Sequence, residues 1–286
     1  MRIGIDLGGT KIEAVALDGA REVFRKRIAS PRGSYAATIA AVASLIAEIG
    51  EGSIGIGIPG SLSRETGLVK GANSTWLNGR PLKSDLESVI QRAVRLENDA
   101  NCFALSEATD GAGQGAAVVF GVILGTGVGG GIVVHGKVLA GVNAIAGEWG
   151  HNPLPTPGPE DLPPLACYCG RRGCIETYLS GPALSREHAA LTGEQLRAQE
   201  VVAREGDSLK RYEERLARSL ASVINVLDPD VIVLGGGMSN ATRLYSEVPR
   251  RWGRYVFSDH VATRLARPVH GDASGVRGAA WLWEPT

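Results

Sequence analysis

The chain has 286 residues, enough for two lobes that each bury a core, and 44% of them are hydrophobic. Its 30 Lys and Arg balance 30 Asp and Glu, which argues against a nucleic-acid or acidic-membrane binder. No apolar run approaches the roughly 20 residues that span a bilayer, the opening strand leaves no room for a secretion signal, and 4 cysteines without a disulfide framework suit a reducing compartment, so a soluble cytoplasmic protein of the mixed α/β class is expected.

Ile3 to Leu7, the turn Gly8-Gly9-Thr10 and Lys11 to Leu17 predict strand, turn, strand. The β-branched residues favour extended backbone, and paired glycines permit the turn's angles. A third strand over Glu22 to Arg27 completes a meander. Tyr35 to Ile49 predicts a helix, with Ile39, Val42, Ile46 and Ile49 at helical spacing. Ser53 to Ile58 is a glycine-rich strand stopped by Pro59-Gly60, and a polar loop through Gly71 to Gly79 follows. Ser84 to Ala93 predicts a helix capped by Ser84 or Asp85. A short strand, Val94 to Leu96, leads to Asn98-Asp99, and Ala100 to Ala108 is helical.

The second half begins like the first. Val118 to Leu124 is a strand, Gly125 to Gly131 a turn, and Ile132 to Val134 a strand. This echo places an approximate repeat at about residue 116. It predicts lobes over 1–115 and 116–273, with a last helix, about 274–286, packing back on the first. Helices are expected over Pro182 to Leu191, Gly193 to Arg204 and Leu209 to Leu227, the last with Leu216, Leu220, Val223 and Leu227 on one face. Its Lys210, Arg211, Glu213 and Glu214 predict a solvated surface. Asp230 to Leu234 is a buried strand ending in Gly235-Gly236-Gly237, and Ser274 to Trp283 a final helix.

His151, Cys167, Cys169 and Cys174 form a complete tetrahedral ligand set for structural zinc, with no open position for water. Three buried thiols beside an unrelated histidine are the bland alternative. Gly125-Thr126-Gly127-Val-Gly129-Gly130 matches the dinucleotide pattern, but a strand follows where that motif needs a helix. A Walker loop is absent too. What remains is two glycine-rich turns, each with a threonine, suited to cradle phosphate oxygens. Asp6 before the first turn is placed to hold Mg²⁺ through water.

Asp99, between strand and helix, fits a helix cap. It also fits a general base for a sugar hydroxyl, with Asn98 orienting that hydroxyl. Cys102 is a small core residue. Glu148 and Glu176 flank the metal ligands and would accept from sugar hydroxyls, while His151 can ligate through one nitrogen and present the other to substrate. His135, His188, His260 and His270 lack partners at metal or triad spacing, and Trp281 and Trp283 are packing residues.

These residues resemble the ROK family of repressors, open reading frames and sugar kinases over essentially the whole chain. The shared pieces are Asp6-Leu-Gly-Gly-Thr-Lys11, Gly57-Ile-Pro-Gly60, Asn98-Asp-Ala-Asn101, Gly125-Thr-Gly127, Gly147-Glu-Trp-Gly-His151, Cys167-Tyr-Cys-Gly-Arg-Arg-Gly-Cys174-Ile-Glu176 and Gly235-Gly-Gly237. Asn73-Ser-Thr-Trp-Leu-Asn-Gly79, Glu148 to Leu154 and the ending His270 to Trp283 look most like the bacterial fructokinase (mannofructokinase) branch. The resemblance implies a two-lobed actin-like (ribonuclease H-like) ATPase fold with a zinc-binding loop and a site in the cleft. ATP would contact Asp6, Gly8, Gly9, Thr10 and Lys11, then Gly125, Thr126, Gly127, Gly129 and Gly130, and Gly235, Gly236 and Gly237. Sugar would be held by Gly60, Asn73, Asn98, Glu148, His151 and Glu176, with Asp99 as catalytic base. Zinc would sit on His151, Cys167, Cys169 and Cys174, and homodimers are expected. The implied activity is ATP-dependent phosphorylation of D-fructose at its 6-hydroxyl, with mannose, glucose or an N-acylhexosamine as alternatives. A sugar-sensing repressor would need a helix-turn-helix ahead of the first strand, which begins at Arg2. The Pro153 to Pro164 loop is longer than in glucokinase-like members and weakens the transfer of sugar choice.

Overall fold

Two five-stranded sheets with the same strand order organise the computed structural model, which describes residues 1–283. In the first, β1 (Arg2–Leu7), β2 (Lys11–Asp18) and β3 (Arg21–Ala29) form an antiparallel meander. β4 (Ser53–Ile58) lies parallel to β1. After the small hairpin of β5 (Ser61–Leu62) and β6 (Val69–Lys70), β7 (Val94–Asn98) lies parallel to β4. The second sheet repeats the plan. β8 (Val118–Leu124), β9 (Val128–Val134) and β10 (Lys137–Val138) form the meander, and β11 (Val231–Gly235) and β12 (Arg264–Ala266) complete the parallel side. The echo seen in the sequence is thus a repeat of topology.

Local chemistry sets the helix limits. α1 (Tyr35–Ile49) starts where the Ser34 hydroxyl accepts from the Ala37 N–H, and it buries Ile39, Val42, Leu45 and Ile46. α2 (Leu82–Ile90) starts ahead of its expected cap. Pro81 precedes its first turn, and Ser84 donates to the Pro81 carbonyl instead of capping. α3 (Asp99–Asp110) follows β7 directly, and α4 (Glu176–Leu179) and α5 (Gly181–Thr192) follow the cysteine loop. The helix expected over 193–204 shrinks to α6 (Ala198–Arg204), because Gly193 at φ 78° terminates α5 in the left-handed region. α7 (Asp207–Leu227) and α8 (Leu244–Trp252) cover the second sheet. The surface expected on α7 is not all solvated. Glu213 is fully buried and held by Arg243 at 2.6 Å and Arg251 at 2.8 Å, both from the chain that continues into α8.

α9 (Ser274–Ala280) lies against β1, β2 and β4 of the first sheet, and residues 284–286 of the helix expected there lie outside the described residues. Backbone meets backbone at this contact: a Cβ at Gly55 of β4 would lie 1.8 Å from the Ala279 carbonyl oxygen. α3 lies on β8 and β9 of the second sheet, although it follows a strand of the first. The two helices touch each other at Gly278, where a Cβ would lie 1.6 Å from the Cys102 oxygen. No helix among the described residues is long and apolar enough to cross a membrane.

Candidate functional site

The two glycine turns sit at equivalent positions and close alike. Gly8 N–H donates to the Lys11 carbonyl at 3.0 Å, and Gly125 N–H to the Gly127 carbonyl at 3.0 Å. Among the described residues, the N–H groups of Gly9 and Thr10 in one turn, and of Thr126 and Gly127 in the other, have no acceptor. Glycine turns with such unspent donors are suited to cradle an anion. Gly129 and Gly130, expected in the second turn, already belong to β9. Their lack of side chains serves packing: a Cβ at Gly130 would meet Trp149 at 2.7 Å.

Each turn is held by a side chain from elsewhere. Arg32 donates from Nε to the Gly9 carbonyl at 3.2 Å and from a terminal nitrogen to Thr10 Oγ1 at 2.9 Å. Glu176 Oε2 accepts from Val128 N–H at 2.9 Å, so this carboxylate, expected on the sugar, also closes the second turn. Beside that turn lies a cavity of about 500 Å³ lined by Thr126, Pro182, Arg197, Gln199, Gly237 and Asn240, among others. Gly237 lines it, but Gly235 and Gly236 lie behind, against Phe103 and Leu124. Arg197, Gln199 and Asn240 carry no local motif, and sequence reasoning missed them.

Asp6 stands on β1, with the α9 residue Gly275 close to its carboxylate. Burial, and then the charge of Asp99, push its pKa up to about 7. Lys11 lies 3.8 Å from Glu13, a fully buried carboxylate that also pairs with Arg25 and Arg27 at 2.7 Å each.

Asn98, not Asp99, caps α3. Its Oδ1 accepts from the Ala100 and Asn101 N–H groups, and its Nδ2 donates to the Gly60 carbonyl at 2.9 Å. Asp99 is the first helical residue; its Oδ1 accepts from Ala100 N–H at 2.8 Å, and the neighbouring Asn98 side chain also bonds its carboxyl. Burial raises the Asp99 pKa to about 6, against the lowering pull of the backbone and with Glu148 adding to the rise. Gly60 has φ +75°, and a Cβ there would strike the Lys70 oxygen at 2.3 Å, so only glycine lets the chain pass. Asn73 is exposed, with its side-chain oxygen near Gly9.

Gly60, Glu148 and His151 line one cleft of about 1260 Å³, and Lys70 reaches across to the Asn143 carbonyl at 3.0 Å. Glu176 lies next door, in a cavity of about 370 Å³ that also holds Thr126 and Tyr168. His151, Cys167, Cys169 and Cys174 bring their ligand atoms within 4.8 Å of one another. The Cys169 and Cys174 sulfurs are 3.6 Å apart, too far for a disulfide, and His151 Nδ1 is 3.6 Å from the Cys167 sulfur. A tetrahedral ion with Zn–S near 2.3 Å and Zn–N near 2.0 Å sets ligand separations of roughly 3.5–3.8 Å. The donor set therefore fits zinc. His151 Nε2 is not open to substrate here: it faces the Tyr168 hydroxyl at 3.0 Å. The declined His188 and His270 pair with Ser208 and Asp110.

Comparison with known proteins addresses the family and the fold. The ROK family model matches residues 2–286. An N-acetyl-D-glucosamine kinase of Salmonella paratyphi C is 42% identical over 299 aligned positions, covering 99% of each chain. Among solved structures, the ROK hexokinase from Thermus thermophilus superposes with a TM-score of 0.85 at 31% identity, covering 98% of this chain and 97% of its own. A ROK glucokinase from Streptomyces griseus in complex with glucose and AMPPNP superposes with a TM-score of 0.79 at 29% identity, with the same coverage.

Proposed function

The chain belongs to the ROK family and is a sugar kinase with the family's two-lobed α/β fold, and we propose that it transfers the γ-phosphoryl group of ATP to the 6-hydroxyl of N-acetyl-D-glucosamine. The observation that carries the mechanism is Asp99: a carboxylate at the start of α3 with its pKa pushed up to about 6, suited to proton abstraction near neutrality. The choice of sugar rests on the N-acetyl-D-glucosamine kinases at 42% identity, and the wide cleft beside Glu148 and His151 has room for an acetamido group. D-fructose, expected from the resemblance to the fructokinase branch, becomes the second reading.

The 6-hydroxyl gives its proton to Asp99 Oδ2 as its oxygen attacks the γ-phosphorus, and ADP leaves. Free N–H groups of Gly9, Thr10, Thr126 and Gly127 receive phosphate oxygens without reorganising. Asp6 would hold Mg²⁺ through water, and that ion when bound neutralises phosphate charge. The nucleoside fits the cavity of Arg197, Gln199 and Asn240. His151, Cys167, Cys169 and Cys174 would hold zinc, whose closed ligand set makes it an anchor for the loop carrying Glu148 and Glu176. Closure of the halves, 1–115 with the last helix against 116–273, excludes water from the transfer. The exposed apolar side chains of Leu139, Val142, Ile145 and Val226 offer a face for a second copy, in a cytoplasmic homodimer.

The test is ADP release measured across N-acetylglucosamine, N-acetylmannosamine, glucose, mannose and fructose. N-acetylglucosamine is expected to lead in kcat/KM by about tenfold or more, the discrimination a few buried polar contacts supply. A lead for fructose would overturn the sugar assignment and leave the kinase in place.

A further inference from the structure

The two phosphate turns differ in one respect that the repeat does not explain. Thr126 makes no side-chain hydrogen bond among the described residues, whereas the Thr10 hydroxyl accepts from Arg32 at 2.9 Å. A hydroxyl has one proton to give and two lone pairs to receive. A guanidinium, which is always a donor, occupies one lone pair of Thr10 and turns its O–H away from Arg32. The second Arg32 bond, at 3.2 Å, occupies the Gly9 carbonyl, while the Gly9 and Thr10 N–H groups have no acceptor among the described residues.

Arg32 comes from the loop between β3 and α1, and that loop is itself pinned to the turn, because Ser30 N–H donates to the Thr10 carbonyl at 3.0 Å. The buried Ser74 hydroxyl lies close by, where a Cβ on Gly9 would be 2.9 Å away, but it makes no hydrogen bond to the turn. Of these two side chains, Arg32 alone bonds the turn and brings charge.

We propose that Arg32 is a positioning residue for phosphoryl transfer: it fixes Thr10 as a hydrogen-bond donor to the transferring phosphoryl group and places a permanent positive charge one hydroxyl away from it. The proposal rests on the kinase reading above but not on the choice of hexose. Negative charge grows on the leaving and equatorial oxygens in the transition state. A preset donor backed by a cation strengthens there more than in the ground state, so its loss appears in kcat more than in KM.

The experiment measures kcat and KM for ATP in the parent, Arg32→Ala, Arg32→Lys, Thr10→Val and the Arg32→Ala/Thr10→Val double variant. Each is assayed on whichever hexose the parent turns over fastest, so a wrong sugar assignment leaves the comparison intact. Melting temperatures and metal content identify any variant that fails to fold, and Arg32→Lys, which keeps charge without the two-pronged grip, provides a second route. Expected are a roughly 10–100-fold loss of kcat in Arg32→Ala and Thr10→Val, at most threefold change in KM, and partial recovery in Arg32→Lys. Because one residue acts through the other, the double variant should lose no more than the worse single variant. An Arg32→Ala enzyme within twofold of the parent, or losses that multiply in the double variant, would overturn the proposal.

Discussion

The two halves share one strand plan and use it differently. Before its glycine turn the first half carries Asp6, whereas the second carries Ile123 at the matching strand position. The first half also supplies Asp99, from the junction of β7 and α3. The second half contributes no comparable acid on its strands, but it builds the larger surroundings: the Arg197–Asn240 cavity, the cysteine loop and Glu148. Repetition therefore provides two glycine turns with free N–H groups, and divergence places Asp6 and Asp99 in one half and most of the cavity walls in the other.

The largest effect should come from the first half. Asp99→Asn is expected to lower kcat by about 10²–10⁴-fold while fold and metal content survive, and near-normal turnover would remove the base from the mechanism. The same carboxyl sets the acid limb of the pH profile. Its folded pKa, about 6, lies above the ordinary range of an aspartate, so protonation on acidification silences it and kcat/KM falls as pH drops through about 6. Stability runs the other way: the folded state holds this proton more tightly than the unfolded chain, so between about pH 6 and 4 acidification favours the fold through this group. A profile flat down to pH 5 would contradict the assignment.

The contact between the halves comes next. Gly278→Ala would drive a methyl into the Cys102 backbone oxygen, at a cost of about 3 kcal/mol in denaturant unfolding. Unchanged stability would mean that α3 and α9 are not in close contact. In the second half, Cys169→Ser removes one of three thiolates; bound metal should fall below one equivalent and sugar KM rise by roughly tenfold, with KM for ATP unchanged. If sugar KM holds after metal loss, the loop does not shape the sugar site. The smallest effect separates cradle from packing. A Cβ on Gly125 meets nothing within 4 Å, whereas one on Gly127 would lie 2.6 Å from Glu176 Oε2. Gly125→Ala should therefore keep its melting temperature and raise KM for ATP by about threefold to tenfold, while Gly127→Ala should lose both; equal behaviour of the pair would undo the cradle at this turn.

Features carried by consecutive residues were legible in the sequence. The strand–turn–strand units, the cluster of Cys167, Cys169 and Cys174, and the Asn98-Asp99 junction each announce themselves within a few positions. Features made by distant partners were not. Charge on α7 looked like a solvated face because Glu213 has basic neighbours nearby, yet its partners are Arg243 and Arg251, 30 and 38 residues onward. Asp161 in the long loop is buried against Arg215 at 2.6 Å and Arg218 at 2.8 Å, more than 50 residues away. Arg32 escaped notice for the same reason, since its target lies 22 positions upstream. The glycines after Gly127 misled differently: they look like turn residues, but they are strand residues stripped of side chains for close packing.

That α9 rests on β1 and β4 bears on the order in which the protein matures. At ribosomal rates of about 5–20 residues per second, the opening strands wait on the order of 10–50 s for the helix that covers them. Until then the glycine-studded side of the first sheet, the side next to Asp6, is bare. The helix that completes the first sheet is therefore made long after the strands it covers.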